Sequence, residues 1–289
     1  MNYSRLKKCL LQGIVVLSIW LGFISPSLAE KIEDMAVLVS SCDRYASLWY
    51  PFFQLWEKYW PNLNNDVYLM SGHLQYASEK VKPIQVGVEK SWSDSMMMAL
   101  EQIPENYVLL TLDDYFLEKP VDHQMIATMV ALMQQEDIGF ISLFPLPVER
   151  THLTESRLGY MAKTQPYRTS LNVGIWRKST LLSLLKSGEN PWLFEIHGSV
   201  RSRDIVSAFM SVTKEPMRYF NATNRGKLMP QVLDLLRIEK ISAKDLNLPV
   251  MGTLEQWYRG PFRHMIAKYI GTPLRKITHF DGNFLPESW

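Results

Sequence analysis

The stretch 107-YVLLTLDDYFLEKP-120 determines how the rest of the chain is interpreted. Its first six residues, Tyr107 to Leu112, are apolar or β-branched, as in a strand buried on both faces. Two adjacent acids, Asp113 and Asp114, end that run. Adjacent carboxylates repel, so both are rarely buried without a cation or strong hydrogen-bond donors. The stretch therefore predicts a buried strand that ends either in a metal–phosphate site or in a turn where one acid caps a helix and the other is solvated.

Strands and helices alternate on both sides of this stretch. The predicted strands cover 35–41, 67–71, 83–88, 107–112, 138–145 and 171–176, and the predicted helices cover 47–60, 92–103, 121–135, 179–190 and 199–210. This alternation predicts an α/β fold with a mostly parallel central sheet and helices on both faces. Ligands of such sheets bind at the carboxyl ends of strands, where the two acids fall. The polar segment 151–170 is predicted to be a long loop or lid.

Composition indicates an ordinary globular protein of 289 residues, with 47% hydrophobic and 21% charged side chains. The net charge of +2 is too small to indicate a nucleic-acid partner on electrostatic grounds. The two cysteines, Cys9 and Cys42, exclude a zinc site built from cysteines. Because Cys9 falls in the N-terminal apolar segment, we expect no internal disulfide in the folded part.

The N-terminal sequence bears on the cellular compartment in which the protein acts. Residues 1–8 carry three basic side chains, an apolar run follows from Cys9 to Ile24, and small residues occur in 25-SPSLAE-30. This pattern is typical of a secretory signal peptide or a short membrane anchor, although a spanning helix needs about 20 residues. A third interpretation places the true start at Met35. We expect a membrane-associated or cytoplasmic protein, or a secreted one if the segment is a cleaved signal peptide.

The loop after the first strand, 40-SSCDRY-45, is a candidate nucleotide contact. In doubly wound folds this loop usually touches the nucleotide, although no glycine-rich phosphate loop occurs here. Asp43 is placed to accept hydrogen bonds from a base or ribose, or alternatively to form an Asx turn.

Aromatic and acidic residues combine in 189-ENPWLFEIHGS-199. Trp192 and Phe194 offer flat faces beside Glu195, an arrangement suited to a sugar hydroxyl that must lose a proton. The alternative is a packed turn with Trp192 in the core and Glu195 paired to Arg201 or Arg203.

Two further stretches rich in basic residues are candidate binding segments. In 221-NATNRGKL-228 a glycine flanked by Arg225 and Lys227 suits close approach to a phosphate, or is simply an exposed basic turn. The basic and aromatic tail from 253 to 276 suits contact with a membrane surface, or is a helix with one packed face.

Six stretches, taken in order, carry a resemblance to a known family. They are 36-AVLVSSCDRYASLWYPFFQLWEKYW-60, Trp92-Ser93-Asp94, 110-LTLDDYFL-117, 172-NVGIWRKSTLLSLL-185, 190-NPWLFE-195 and 225-RGK-227. Together they resemble bacterial-type glycosyltransferases with the GT-A fold, which are associated with surface polysaccharide synthesis. The resemblance covers most of residues 36 to 230. It implies a single GT-A-like domain.

The resemblance implies a donor site for a nucleotide sugar. In that family an acidic D-x-D-like motif holds Mn²⁺ or Mg²⁺ on the donor diphosphate. Asp113 and Asp114 match that motif here, but as D-D-Y, so which acid binds the metal stays open. The implied donor-binding residues are Ser41 and Asp43 at the nucleoside, Trp92 and Asp94 at the pocket border, Asp113, and Arg225 and Lys227 at the leaving diphosphate.

The resemblance also implies the reaction. Glu195 corresponds to the acid that deprotonates the acceptor hydroxyl in an inverting, hexosyltransferase-type reaction, and we place Trp192 and Phe194 at the acceptor. The acceptor is expected to be a saccharide or glycolipid. The alternatives are an exported, non-catalytic carbohydrate-binding protein that keeps the fold and, third, a nucleotidyltransferase.

We therefore predict three regions. Residues 1–34 form a signal peptide or membrane anchor, or precede the true start. Residues 35–235 form the GT-A-like domain. Residues 236–289 form a helical, basic and aromatic C-terminal extension.

Overall fold

The computed structural model describes residues 31–252. The predictions of a signal peptide or anchor and of most of the C-terminal extension lie outside the described residues and stay predictions. Between residues 31 and 252, no helix is long and apolar enough to cross a membrane.

Thirteen strands and five longer helices are placed in the described range. The strands are β1 (Met35–Ser40), β2 (Val67–Ser71), β3 (Val81–Gln85), β4 (Tyr107–Leu112), β5 (Tyr115–Leu117), β6 (Ile138–Ser142), β7 (Arg150–Thr151), β8 (Leu158–Tyr160), β9 (Gly174–Arg177), β10 (Ala208–Val212), β11 (Tyr219–Asn221), β12 (Thr223–Asn224) and β13 (Lys227–Leu228). The helices are α1 (Trp49–Tyr59), α2 (Trp92–Glu101), α3 (His123–Gln135), α4 (Lys178–Leu184) and α5 (Pro230–Glu239). A 3₁₀ helix (Asp43–Leu48) precedes α1, and short helical turns, including a π-helical turn (Phe194–Gly198), occupy 191–204.

In the part of the chain that the structure describes, the central sheet has nine strands in the order β3-β2-β1-β4-β9-β6-β10-β8-β7. β3, β2, β1 and β4 are parallel neighbours, as are β6 and β10, whereas β9 pairs antiparallel with both β4 and β6. Only β8 and β9 of this sheet run against the others. The predicted fold class, a mostly parallel sheet flanked by helices, is confirmed.

The helices cover both faces of the sheet. Alternate residues of β1 enter two separate hydrophobic cores, Met35 and Val37 with α1 and α3 on one face, Ala36 and Leu38 with α2 and α4 on the other. Both faces of the sheet are therefore buried, which explains why the parallel strands are continuous apolar runs and do not alternate between apolar and polar residues.

The predicted helix over 199–210 is wrong in its second half. Short helical turns end at Asp204, and Ala208–Val212 forms β10 between β6 and β8. A short apolar run fits a buried strand as well as a helix, so local pattern alone does not separate the two. The segment 151–170 is also not all loop, because β8 lies within it and pairs with β10.

The second, two-stranded sheet brings distant segments to the acid pair. β5 begins directly after Asp114 and pairs antiparallel with β11, so that Tyr115 lies opposite Asn221. The β12–β13 hairpin follows β11 immediately. The chain around residues 219–228 therefore lies beside the carboxyl end of β4.

Candidate active site

Asp113 is the most buried acid at the carboxyl edge of the sheet, with 5% of its surface exposed. The Ser41 hydroxyl donates a hydrogen bond to its Oδ2, and the indole Nε1 of Trp49 donates to Ser41 Oγ over 2.7 Å. Burial, with the neighbouring Asp114 charge, raises the pKa of Asp113 to about 8 against the lowering effect of Ser41 and Trp49. The hydrogen bonds from the protein therefore offset the burial of the charged form only in part, and a nearby cation would supply the remaining stabilisation.

Asp114 is held by the β12–β13 segment. The Thr223 hydroxyl donates to Asp114 Oδ2 over 2.6 Å, and the Ala222 amide donates to the Asp114 carbonyl oxygen over 2.7 Å. Burial raises the pKa of Asp114 as well. Its Oδ1 is buried and has no hydrogen-bond partner in the described part of the chain. An orphaned buried acceptor costs about 1–3 kcal/mol, so this oxygen is suited to a ligand.

The acid pair fits the expected Mn²⁺ or Mg²⁺. Across residues 31–252, no group of three or more His, Cys, Asp or Glu side chains is arranged to hold a metal ion by itself. Magnesium is typically held by one or two carboxylates, with phosphate oxygens and water as the remaining ligands. Asp113 and Asp114 match that donor set, and the unpartnered Oδ1 of Asp114 is the structural feature that supports the fit.

A cleft of about 290 Å³ opens at the carboxyl ends of β1, β2 and β3. Among the residues that line it are Ser41 and Asp43, so both predicted nucleoside contacts lie in one cavity. The Asp43 carboxylate accepts hydrogen bonds from the amides of Gly72, His73 and Leu74 at 3.0, 2.9 and 3.1 Å. Although burial opposes it, these donors lower the pKa of Asp43. Asp43 thus fixes the loop after β2 that forms one wall of the cleft.

Trp92 and Asp94 lie at the start of α2. The Trp92 indole is buried, donates to Ser40 Oγ over 3.0 Å, and packs against Phe194 with ring centroids 5.3 Å apart. Asp94 Oδ2 accepts hydrogen bonds from the Ser91 hydroxyl and from the Gly188 amide, at 2.5 and 3.3 Å. Trp92 therefore supports the end of β1 from beneath instead of presenting an open face to a ligand.

Arg225 and Lys227 lie in the β12–β13 hairpin, whose first strand contacts Asp114 through Thr223. Its two turn residues, Arg225 and Gly226, have φ angles of 52° and 74°, in the left-handed region that tight two-residue hairpin turns require. A Cβ added to Gly226 would lie 3.3 Å from Nη2 of Arg44, so the tip packs on the loop after β1. Because Thr223 at the base holds Asp114, the hairpin spans from the acid pair to the β1 loop.

Glu195 occupies the π-helical turn Phe194–Gly198. Its Oε1 accepts hydrogen bonds from the Leu171 amide at 2.7 Å and from the Ser170 hydroxyl at 3.4 Å. Burial raises the pKa of Glu195, and those two donors oppose the rise. π-helical turns occur often at functional sites, and a carboxylate with a raised pKa is suited to general-base work near neutral pH.

A hydrogen-bond chain leads away from Glu195. Ser170 Oγ accepts from Asn172 Nδ2 over 2.8 Å, and Asn172 Oδ1 accepts from the Tyr219 hydroxyl over 3.1 Å. The Val173 amide donates to that hydroxyl over 3.4 Å. The chain links the π-helical turn to β11.

Two tyrosines connect this chain to the acids. Tyr219 stacks on Tyr115 with centroids 4.4 Å apart, and Tyr115 directly follows Asp114. The pKa of Tyr115 is raised by burial and further by the charges of Tyr219, Asp114 and Glu195. Tyr115 is therefore next to the acid pair in the chain and is linked to Glu195 through Tyr219 and the hydrogen-bond chain. No motif in the sequence predicts a role for Tyr219 or Asn172, and the local signal for Tyr115 is its position directly after the two acids.

The predicted acceptor residues differ in exposure. Trp192 is 49% exposed, whereas Phe194 is fully buried and packs against Trp92 and Trp176. The Phe194 ring is therefore part of the core and has no free face for a sugar, which corrects the prediction that Phe194 lies at the acceptor.

The alternative pairing of Glu195 with Arg201 is not what the structure shows. Arg201 binds Glu189 through two nitrogens at 2.8 and 2.6 Å, and His197 Nδ1 lies 3.1 Å from the same carboxylate. Glu189 is therefore the acid that pairs with Arg201, whereas Glu195 accepts hydrogen bonds from Ser170 and Leu171.

No protein-family model matches the sequence, and no curated protein matches it. Among solved structures, S. aureus TarS 1–349 in complex with UDP-GlcNAc overlaps 84% of this chain and 75% of its own, at 13% identity and a TM-score of 0.45. The mannosyltransferase PcManGT from Pyrobaculum calidifontis, in complex with GDP-Man and Mn²⁺, overlaps 67% of this chain and 58% of its own, at 11% identity and a TM-score of 0.44. Similarity of this degree assigns neither a function nor a ligand to the chain.

Proposed function

We propose that this protein is a metal-dependent glycosyltransferase that transfers a hexose from a nucleotide sugar to the hydroxyl of a saccharide or lipid-linked acceptor. The observation that carries the proposal is the buried pair Asp113 and Asp114: the protein offsets the charge of Asp113 only in part, and Oδ1 of Asp114 has no partner in the described part of the chain. The resemblance to GT-A glycosyltransferases of surface polysaccharide synthesis supports the same function, and that process is the context we propose.

The donor would bind along the carboxyl edge of the sheet. The cleft beside Ser41 and Asp43 has room for the nucleoside, and the acid pair lies at the end of the adjacent β4. Asp113 and Asp114 would hold Mn²⁺ or Mg²⁺, which when bound supplies positive charge to the diphosphate. Arg225 and Lys227 add fixed positive charge from the hairpin, where negative charge grows as the diphosphate leaves.

Glu195 is the proposed general base. Its carboxylate takes the proton from the acceptor hydroxyl while that oxygen forms a bond to the anomeric carbon. The bond from the anomeric carbon to the diphosphate oxygen breaks, and its electron pair leaves with the nucleoside diphosphate. A direct displacement of this kind inverts the anomeric configuration. The Leu171 amide and the Ser170 hydroxyl fix the carboxylate for that role.

The test is calorimetric titration of the full chain with UDP and GDP, each with and without MnCl₂. We expect Mn²⁺-dependent binding of at least one nucleotide, lost when Asp113→Asn is combined with Asp114→Asn. Asp137→Asn is the matched control. Asp137 is exposed, pairs with Arg177 and directly precedes β6, whereas the acid pair follows the carboxyl end of β4. Nucleotide binding that ignores Mn²⁺, or that survives the double substitution, contradicts the metal role. Saccharide binding without any nucleotide binding would favour the non-catalytic alternative.

A further inference from the structure

Phe144 is an exposed aromatic ring on a fixed backbone, just beyond the carboxyl end of β6. Its side chain is among the exposed large hydrophobic ones, at 40% exposure. Its carbonyl oxygen accepts hydrogen bonds from the hydroxyls of Ser142 and Ser211, at 2.7 and 3.1 Å. A single exposed phenylalanine needs no explanation, but this one is held from two strands and lies beside the candidate site.

The ring of Phe144 is the outer member of an aromatic row. Its centroid lies 6.5 Å from that of Tyr219, which in turn stacks on Tyr115 at 4.4 Å. We call Phe144, Tyr219 and Tyr115 the aromatic shelf. Tyr115 is buried, Tyr219 is half-buried and Phe144 is open to solvent, so the row runs from the acid pair outward.

Polar groups tie the shelf to the candidate base. The Tyr219 hydroxyl binds Asn172, Asn172 binds Ser170, and Ser170 donates to Glu195. The amide of Asn172 is half-buried at this rim. The exposed ring of Phe144 is therefore linked, through Tyr219 and the buried Ser170, to the half-buried side chains of Asn172 and Glu195.

A pyranose ring matches this combination. It presents a flat face of C–H bonds and a rim of hydroxyl groups, and sites for such ligands combine aromatic walls with a few placed polar groups. A lipid chain offers no hydroxyl groups to the amide and the carboxylate, so it would remove water from these polar groups without replacing the lost hydrogen bonds.

We propose that the aromatic shelf is the acceptor subsite, where the terminal pyranose ring of a saccharide acceptor lies on Phe144 with a ring hydroxyl directed to Glu195. The inference deepens the proposed function and rests on it for the role of Glu195. It also moves the aromatic platform from Phe194, which is buried, to Phe144.

The test uses four probes: methyl β-glucopyranoside, methyl β-galactopyranoside, methyl α-mannopyranoside and methyl N-acetyl-β-glucosaminide. Each is titrated into the full chain and followed by saturation-transfer NMR. We expect at least one to bind the wild type, and Phe144→Ala and Phe144→Leu to weaken it about tenfold, the size of one aromatic contact. Phe144→Tyr keeps a flat face and should restore affinity to within about twofold.

Ile238→Ala is the matched control, because Ile238 is an exposed apolar side chain on α5, at 71% exposure. Its neighbour Glu239 accepts a hydrogen bond from Tyr59 at the C-terminal end of α1. The Ile238→Ala substitution should change nothing. Nucleotide binding in the presence of MnCl₂ should be equal in all these variants. Failure of every probe to bind the wild type, unchanged affinity in Phe144→Ala, or equal losses of glycoside and nucleotide binding would each overturn the subsite. Phe144-dependent glycoside binding without any nucleotide binding would retain the subsite and refute the proposed transferase.

Discussion

The hydroxyl of Thr223 donates a 2.6 Å hydrogen bond to Oδ2 of Asp114, 109 residues earlier in the chain. The bond joins the base of the β12–β13 hairpin to the acid pair that ends β4. It engages one oxygen of the carboxylate and leaves the other, Oδ1, buried without a partner. The hairpin and the acid pair therefore form one structural unit, and a substitution in either should change the stability of the other.

Replacing Thr223 by valine should destabilise the protein by about 1–3 kcal/mol, because it leaves a buried carboxylate oxygen without its donor. Valine has nearly the same shape, so the loss isolates the hydrogen bond. The measurement is urea unfolding in the presence of EDTA. Thr128→Val is the control, since the Thr128 hydroxyl donates a solvent-exposed hydrogen bond to the Gln124 carbonyl on helix α3 and its loss should cost little. Equal effects of the two substitutions would contradict the special position of Thr223.

Asp113 should make the metal-free protein less stable as the pH rises. Its ordinary pKa is 3.8 and its folded pKa is about 8. Between these values the native state holds a proton that the unfolded chain has released, so the free energy of unfolding falls by up to about 1.4 kcal/mol per pH unit. The stabilisation is fully present below pH 3.8 and is lost as the pH rises through about 8.

Asp113→Asn should remove that pH dependence, because the amide does not titrate in this range. Urea unfolding with EDTA at several pH values between 5 and 8 compares the two proteins. The variant should gain on the wild type toward pH 8. Parallel profiles would show that Asp113 is not the group responsible.

Glu195→Gln should lower sugar transfer by about 10²–10⁴-fold, the usual contribution of a general base, and leave nucleotide affinity nearly unchanged. Glutamine retains an acceptor for the Leu171 amide, so the fold should hold. The measurement is release of the nucleoside diphosphate from a panel of nucleotide sugars with added methyl glycosides. Glu189→Gln is the control; it should lower stability through the loss of its pair with Arg201, and spare nucleotide binding. A similar loss of binding and turnover in Glu195→Gln would reassign Glu195 to a structural role.

Gly226→Val should destabilise the β12–β13 hairpin by about 1–2 kcal/mol, because a φ of 74° is unfavourable for a branched side chain. Gly226→Asn should be tolerated, since asparagine enters the left-handed region more readily. If Arg225 and Lys227 act on the diphosphate, the valine variant should also bind Mn²⁺–nucleotide more weakly. Thermal unfolding and calorimetry measure the two effects. Equal behaviour of the two variants would mean that the turn conformation is not what matters.

The buried strands were predictable from sequence because their apolar runs are local. The predicted bounds of β2 and β4 agree with the structure, and those of β1 differ by one residue. The helices α1 and α3 were also recognised, since their apolar positions repeat at helical spacing. Strand β10 was missed because a run of five residues in the core has no periodicity that separates strand from helix.

The direction and position of the antiparallel strand β9 could not be predicted from the sequence. Its apolar pattern predicted a strand, but nothing in the pattern fixes its direction or its place between β4 and β6. Strand order depends on the path of the connections, which pack only when the whole sheet is formed. The same holds for β8, which lies within a segment that was predicted to be a loop or lid.

The order of residues along the chain is enough to establish the available chemical groups: two adjacent acids after a buried strand, an acid beside aromatic rings, and a basic turn with a glycine. Which of these groups come into contact depends on the folded chain. Phe194 and Trp192 are two residues apart, yet the π-helical turn buries one ring and exposes the other. Tyr219, Asn172 and Thr223 gain their roles from hydrogen-bond partners 47 to 109 residues away. Such contacts depend on register and on the chain path through the sheet, and no local pattern encodes either.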